Sequence, residues 1–196
     1  MKIVLASNNK HKIQEFRDIL TNYEILSLKD IGFDQEIEEN GKTFEENAII
    51  KAKTISKYLK EKQLDYLVIS DDSGLCVKSL NNEPGIYSAR YAGIHGNDQE
   101  NRNKLLNNLK GKEREAYFNC TIALYYPDDK YEIFEGKTYG SITEEELGKK
   151  DFGYDCIFKS DDLNKTFGQA SEEEKNSVSH RKRAIEKLKE KLKWKN

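Results

Sequence analysis

The stretch Tyr66-Leu67-Val68-Ile69-Ser70-Asp71-Asp72-Ser73-Gly74-Leu75 joins a short apolar run to two carboxylates, a hydroxyl and a glycine. The apolar run predicts a buried strand, and chemistry in α/β proteins gathers beyond the carboxyl ends of such strands. Taken alone, the polar segment is more typical of a turn, so we expect Leu75–Leu80 to pair back on Tyr66–Ser70. Because successive side chains of an extended chain point opposite ways, Asp71 and Asp72 are expected in different environments.

The composition limits the class of protein. The chain has 196 residues, of which 36% are hydrophobic and 35% charged, and its formal net charge is −2. One domain spanning residues 1–196 can bury a sizeable core, and a chain this close to neutral is not expected to coat nucleic acid. The N-terminus becomes polar too quickly for a signal peptide, and no apolar run approaches a membrane span. We therefore expect a cytoplasmic protein without a nucleic-acid or membrane partner.

The metal-binding residue types point to oxygen ligands. Three cysteines and three histidines are scattered along the chain, with neither a Cys-x-x-Cys nor a His-x-x-x-His pair. The sequence therefore predicts neither a disulfide framework nor a zinc site. Any metal would rest on carboxylates, which favours Mg²⁺, with Mn²⁺ as an alternative.

Two helix starts in the first part of the chain carry lysines. Lys2–Ala6 predicts a buried strand, and a polar turn separates it from a helix that opens at Lys10. Free backbone amides and lysines suit an anion, although an ordinary N-cap with solvated lysines explains the same residues. An acidic connector, Ile31–Gly41, leads to a helix capped by Thr43. Lys51 lies in the second turn of that helix, within reach of a ligand, but a surface lysine is the commoner interpretation.

The second half of the chain predicts a hairpin and a possible base pocket. Apolar residues alternate over 116–126, and a turn and the run 131–134 complete a long antiparallel hairpin. The aromatic stretch 152–158 suits either a planar ligand or a buried strand.

Basic side chains precede the last helix, where the helix dipole disfavours cations. This position suggests an anionic or carbonyl-bearing ligand. The three residues concerned are Lys175, His180 and Arg181. The order of the elements along the chain predicts an α/β fold, a mixed sheet flanked by helices.

Taken together, these stretches resemble the inosine triphosphate pyrophosphatase family, whose members act on non-standard purine nucleoside triphosphates. The resemblance runs nearly end to end, and its longest motif is similar to the bacterial branch. The motifs that carry it are 6–12 (Ala-Ser-Asn-Asn to Lys12), 43–48 (Thr-Phe-Glu-Glu-Asn-Ala), 71–75 (Asp-Asp-Ser-Gly-Leu), 84–93 (Pro-Gly-Ile-Tyr-Ser-Ala-Arg-Tyr-Ala-Gly), 152–155 (Phe-Gly-Tyr-Asp) and 174–181 (Glu-Lys to Ser-His-Arg).

The resemblance implies an elongated two-lobed fold with a deep central cleft, usually in a homodimer. It also implies Mg²⁺-dependent hydrolysis of ITP, dITP and XTP to the monophosphate and pyrophosphate. Carried over, Ser7, Asn8, Asn9, Lys10, His11 and Lys12 would line the triphosphate, Lys51 would add a second positive charge, and Ser73 would contact substrate. Glu38 and Asp72 would bind the metal, and Asp72 would also be the general base. Phe152, Gly153, Tyr154 and Asp155 would hold the purine base of the nucleotide, while Lys175, His180 and Arg181 would recognise that purine.

Two departures from the family pattern and two alternative functions stay open. Cys156 stands where proline is usual and Gln169 where an acidic residue is common, which puts the rigidity of these loops in question. The related Maf-like pyrophosphatases perform the same reaction on other bases. A nucleotide-binding module without turnover would not need an intact Asp72 and Glu38.

Overall fold

The computed structural model describes residues 1–150 and 152–193. Its strands are β1 (Lys2–Leu5), β2 (Glu24–Leu26), β3 (Leu67–Val77), β4 (Glu83–Pro84), β5 (Glu115–Tyr125), β6 (Tyr131–Ile142), β7 (Phe158–Ser160) and β8 (Lys165–Thr166). Its α-helices are α1 (Lys10–Ile19), α2 (Phe44–Glu61), α3 (Asp98–Asn108), α4 (Glu172–Val178) and α5 (His180–Lys193). Short 3₁₀ helices cover Lys78–Leu80 and Gly85–Arg90.

The strands form one mixed, eight-stranded sheet. Their order is β2-β1-β3-β5-β6-β7-β8, and β4 pairs with β3. Strand β1 is parallel to β2 and β3, whereas β3 with β4, β6 with β7 and β7 with β8 are antiparallel. With helices flanking this sheet, the α/β fold class predicted from the sequence is confirmed.

The chain divides into two compact units. Unit 1 consists of residues 1–72, 120–135 and 182–196, and unit 2 of residues 73–119 and 136–181. Strand β3 passes from unit 1 to unit 2 after Asp72. That residues 1–196 form one functional domain stays a prediction.

Unit 1 has two apolar clusters. In the first, Phe16 of α1 packs with Ile69 of β3 and Ile185 of α5, and all three side chains are inaccessible to solvent. In the second, the apolar stripe of α2 packs on β1 and β3, with Ala48, Ala52 and Ile55 against Val4 and Val68. The helical periodicity of α2 thus fixes which of its faces is buried, and it carries Lys51 into the same region.

Unit 2 has a single aromatic-rich core. Phe158 of β7 contacts Phe118 of β5 edge-on, with 4.7 Å between ring centroids, and lies 5.1 Å from Phe167. Leu105 of α3 and Leu75 of β3 belong to the same cluster and are fully buried.

The hairpin predicted around Asp71–Gly74 is wrong, because β3 runs unbroken from Leu67 to Val77. Its first residues pair with β1 and its last residues with β4. Backbone hydrogen bonds to these neighbours outweigh the weak strand preference of Asp, Ser and Gly.

The aromatic stretch and the last helix also differ from the prediction. Only Phe158 of the stretch lies in a strand, and the residues before it form turns. A short helix, α4, precedes α5 and begins with a capping box formed by Ser171 and Glu174. The two helices are separated by Ser179, so His180 opens α5 while Lys175 belongs to α4.

Within the described residues, no helix is both long enough and apolar enough to cross a membrane.

A substitution in β6 tests the β6–β7 packing. A Cβ atom at Gly140 would lie 2.2 Å from the Lys159 carbonyl oxygen and 2.8 Å from the Phe158 ring. We therefore expect Gly140→Ala to lower the free energy of unfolding by about 1–3 kcal/mol, measured by urea denaturation. Lys159→Ala, which alters an exposed side chain of β7, is the control and should change stability by less than about 0.5 kcal/mol. Equal stability of Gly140→Ala and the parent chain would contradict the packing.

Candidate active site

Two adjacent carboxylates of β3 are the centre of the site in unit 1. Asp71 is buried, with 2% of its side chain exposed, and both of its oxygens contact the Lys12 ammonium, at 3.0 and 2.8 Å. Taking a carboxylate out of water is costly unless a partner compensates it. Lys12, near the start of α1, is therefore held in place by Asp71.

Asp72 contacts a different set of partners, as the alternation along an extended strand requires. Its Oδ2 accepts a hydrogen bond from Asn47 Nδ2 at 3.0 Å, and its Oδ1 lies 3.9 Å from Lys51 Nζ. Burial raises the pKa of Asp72, and the opposing effects of Lys51 and the Asn47 hydrogen bond do not cancel this shift. A carboxylate with a raised pKa is a stronger proton acceptor once it is ionised.

Lys51 is a buried cation among three carboxylates. Its ammonium lies 2.8 Å from Glu39, and only 11% of its side chain is exposed. Burial by itself lowers the pKa of Lys51, but Asp72, Asp71 and Glu39 together raise it. Lys51 is thus a fixed charge next to Asp72 and not a surface lysine.

Sequence reasoning missed Asn47, although the sequence carried a signal for it. Asn47 is 1% exposed and lies on the apolar stripe of α2, where a polar side chain must find a partner. Its amide nitrogen donates to Asp72, and its amide oxygen accepts from the Gly41 N–H at 2.9 Å.

The polar turn before α1 is organised by its own side chains. Asn9 caps the helix, accepting from the amides of His11 and Lys12, and Ser7 accepts from the Asn9 amide. Asn8 accepts from the Lys29 amide at 3.0 Å. The cap has the geometry of an ordinary N-terminus, so the predicted contact of residues 7–12 with a triphosphate stays a prediction.

The acidic connector brings Glu39, rather than Glu38, into contact with Lys51. Glu38 is exposed, whereas Glu39 is partly buried and also acts on the pKa of Asp72. The assignment of Glu38 to a metal stays a prediction, and Glu39 is the neighbouring alternative.

The donor chemistry in unit 1 suits Mg²⁺. No group of three or more His, Cys, Asp or Glu side chains within residues 1–150 and 152–193 is arranged to hold a metal ion. Mg²⁺ typically takes one or two protein carboxylates and completes its shell with water and substrate phosphates. Asp72 and Glu39, which lie around one ammonium, supply that number of carboxylates.

The predicted base-binding residues lie in unit 2, where Asp155 and Lys175 form an ion pair. Burial raises the pKa of Asp155 despite the opposing charge of Lys175. The Lys175 ammonium also lies 5.4 Å from the ring centroid of Phe152 and 5.8 Å from that of Phe167. Phe152 itself is 58% exposed, so its ring face is accessible for stacking on a planar ligand.

The first residues of α5 lie in the same unit. His180 stacks on Phe118, with ring centroids 5.0 Å apart and planes inclined by 14°. Arg181 Nη2 lies 3.5 Å from the Ser73 hydroxyl, at the outer limit of a hydrogen bond. Ser73 and Arg181 are thus near one another, and the contact of both residues with substrate stays a prediction.

The two departures from the family pattern have structural roles. Cys156 is fully buried, and its carbonyl oxygen accepts from the Leu147 amide at 2.7 Å. The Gln169 side chain accepts from both the amide and the hydroxyl of Thr166, each at 3.2 Å, and so closes the turn that they share.

The structure therefore groups the predicted residues in two sets. Unit 1 brings Lys12, Lys51 and Asp72 together with the unpredicted Asp71, Asn47 and Glu39. Unit 2 brings Phe152, Asp155 and Lys175 together, and places Ser73 near Arg181.

Comparison with known proteins identifies the family of the chain. A protein of Clostridium perfringens named dITP/XTP pyrophosphatase is 50% identical over 198 residues, covering 98% of this chain and 97% of its own. The Staphylococcus aureus Ham1 protein has a similar structure, with a TM-score of 0.91, 43% identity and complete coverage of both chains. A HAM1 protein from Coxiella burnetii superposes with a TM-score of 0.88 at 38% identity and covers 98% of each chain. The profile of the Ham1 family matches residues 3–191, and the chain belongs to that family.

Proposed function

We propose that this chain hydrolyses dITP, ITP and XTP to the nucleoside monophosphate and pyrophosphate, and so removes deaminated purines from the nucleotide pool. The observation that carries the proposal is the buried carboxylate pair of β3, in which Asp71 holds Lys12 and Asp72 lies beside Lys51. The name dITP/XTP pyrophosphatase, borne by relatives 44–50% identical to this chain, supports the same reaction.

The lysines suit the charge of the reaction. A triphosphate brings several negative charges, and more charge develops on the leaving pyrophosphate during cleavage. Lys12 and Lys51 are held in place by carboxylates. We propose that both ammonium groups contact phosphate oxygens of the substrate from these positions.

Asp72 is the proposed general base. Its burial and raised pKa suit a carboxylate that accepts a proton from an attacking water. The Asn47 hydrogen bond fixes Oδ2, so Oδ1 is the atom proposed to receive the proton. Asp71, whose oxygens both contact Lys12, has the separate task of positioning that lysine.

Mg²⁺ is the proposed cofactor, with Mn²⁺ as an alternative, and Asp72 with Glu38 or Glu39 would hold it. When bound, it would neutralise phosphate charge and polarise the phosphorus.

The residues of unit 2 suit a 6-keto purine. Phe152 offers a ring face, and Lys175 and Arg181 offer donors to a carbonyl oxygen. A 6-amino group would meet these donors with another donor, which would leave polar groups unpaired. The proposed selectivity against adenine follows from this mismatch.

Further expectations from the sequence complete the proposal. Following the family resemblance, the chain is proposed to act as a homodimer with a deep cleft for its substrate. Following its N-terminal sequence, it is proposed to work in the cytoplasm.

The substrate range is the first test. We expect pyrophosphate release from ITP, dITP and XTP in the presence of Mg²⁺, measured by a coupled assay. For ATP, whose 6-amino group meets donors, we expect kcat/KM to be lower by at least about 100-fold. Chelation of the metal by EDTA should stop release, and added Mg²⁺ should restore it. Equal turnover of ATP, or no turnover of any of the three substrates, would refute the proposal.

The proposed base can be removed without changing its shape. Asp72→Asn should lower kcat for ITP by about 10²–10⁴-fold, because an amide cannot accept the proton. Binding of ITP, measured by calorimetry, should be largely retained. Asp65→Asn, an exposed residue just before β3, is the matched control and should keep full activity. A near-normal rate for Asp72→Asn would show that Asp72 is not the base.

Base selectivity can be tested at Lys175. Lys175→Met keeps the length of the side chain but removes its charge and donors, so we expect the ratio of kcat/KM for ITP to that for ATP to fall by about tenfold. Lys159→Met, an exposed lysine of the same unit, should leave the ratio unchanged. An unchanged ratio in Lys175→Met would assign base recognition to other residues.

A further inference from the structure

Gly153, in the middle of the aromatic loop Phe152–Asp155, has both of its backbone polar groups bound by side chains of α3. The Gly153 N–H donates to Asp98 Oδ2 at 2.8 Å, and its carbonyl oxygen accepts from Arg102 Nη1 at 2.7 Å. Asp98 and Arg102 are one helical turn apart, so they lie on the same face of the helix. Helix α3 therefore binds both backbone polar groups of Gly153.

Arg102 is itself fixed. Only 3% of its side chain is exposed, and its Nε donates to Glu146 Oε1 at 2.7 Å while its Nη2 donates to Gln99 at 3.1 Å. Lys150 and Gln99 also donate to Glu146, and hydrogen bonds from Lys150, Arg102 and Gln99 lower the pKa of Glu146 to about 2. Because all three of its nitrogens are hydrogen-bonded, the buried guanidinium is held in one position, and from there it donates to Gly153.

The aromatic loop has a turn hydrogen bond of its own, from the Asp155 amide to the Phe152 carbonyl oxygen at 3.2 Å, but this bond does not involve the polar groups of Gly153. Gly153 has φ +49°, a conformation that glycine adopts freely and that glycine also leaves freely. Cys156, which follows the loop, has no ring to fix its φ, as a proline would. Phe152 is mostly exposed, so its position depends on the backbone beside it.

The neighbours of Gly153 on either side are the groups proposed to meet the base. Phe152 presents its ring, and Asp155 pairs with Lys175. Tyr154 is anchored separately, since its hydroxyl donates to the Ser88 carbonyl oxygen at 2.8 Å. The hydrogen bonds from α3 therefore help to fix the backbone of Gly153, which lies between the Phe152 ring and the Asp155–Lys175 ion pair.

We infer that Arg102 and Asp98 are positioning residues for base recognition: they clamp the peptide groups of Gly153 so that Phe152 and Asp155 are preset for a purine. The inference rests on the proposed function for its substrate, but the clamp itself is a property of unit 2. Loss of the clamp lets the loop sample other conformations, so the base is bound less tightly while the phosphate chemistry is unaffected.

Arg102→Met is the main test. The substitution removes the donor to Gly153. Glu146 keeps Lys150 and Gln99 as partners, so its charge is still compensated. We expect KM for ITP to rise about tenfold, which corresponds to the loss of one charge-assisted hydrogen bond, and kcat to change by less than about twofold. Tripolyphosphate, which has no base, should inhibit the variant as strongly as the parent chain.

Arg114→Met is the matched control. Arg114 belongs to the same unit and donates to the Ile142 and Thr143 carbonyl oxygens, away from the aromatic loop. Its loss should leave KM, kcat and tripolyphosphate inhibition unchanged. An unchanged KM in Arg102→Met, an equal rise in Arg114→Met, or a parallel loss of tripolyphosphate inhibition would overturn the inference.

Asp98 gives a second, graded test. Asp98→Asn retains an oxygen that accepts from the Gly153 N–H, so it should keep KM near the parent value, whereas Asp98→Ala should raise it as Arg102→Met does. If both substitutions raise KM equally, the hydrogen bond to Gly153 is not what Asp98 contributes.

Hydrogen exchange makes the test independent of turnover. The backbone amides of residues 152–156 should exchange faster in Arg102→Met than in Arg114→Met, with the exchange of the unit 2 core unchanged. If the parent chain does not hydrolyse ITP, the proposed function fails, and this comparison alone decides whether the clamp exists. Equal exchange in the two variants would overturn it.

Discussion

The burial of two consecutive carboxylates in β3 is the constraint on which the site of unit 1 depends. Neither charge is stable there without partners, and the two carboxylates take their partners from two different helices. Lys12 at the start of α1 contacts Asp71, whereas Asn47 and Lys51 of α2 contact Asp72. The fold thus assembles a group of fixed charges, and electrostatic catalysis depends on such preorganisation.

Unit 2 applies the same principle to a neutral, planar ligand. Its aromatic core supports Phe118 and Phe167, which contact the side chains of His180 and Lys175. The loop that carries Phe152 is closed by a turn hydrogen bond, and contacts from α3 and from the hydroxyl of Tyr154 hold it in addition. We therefore propose that selectivity for a base also depends on Asp98 and Arg102 of α3, which act through the loop.

The sequence was informative where a periodic pattern or a cap decides the local structure. The N-cap Thr43 of α2 and the strand that the alternation over 116–126 predicted, β5, both appear in the structure. It misled at Asp71–Gly74, because local preference for a turn is a weak effect beside the backbone pairing that neighbouring strands offer.

Side-chain pairings were the least predictable part of the site. Nothing in the local sequence distinguishes Glu38 from Glu39, since the choice depends on how the acidic connector lies against Lys51. Nothing in the local sequence singles out Arg102, because only the fold brings it to Gly153. Asn47 is the exception, because a polar residue on an apolar helix face requires a buried partner.

The central claim is that the charges of unit 1 direct water to the bond between the α- and β-phosphates. Phosphorus NMR of the products formed from XTP and Mg²⁺ tests this claim most directly. The account predicts xanthosine monophosphate and pyrophosphate, with no inorganic phosphate at early times. Formation of xanthosine diphosphate and inorganic phosphate would contradict it.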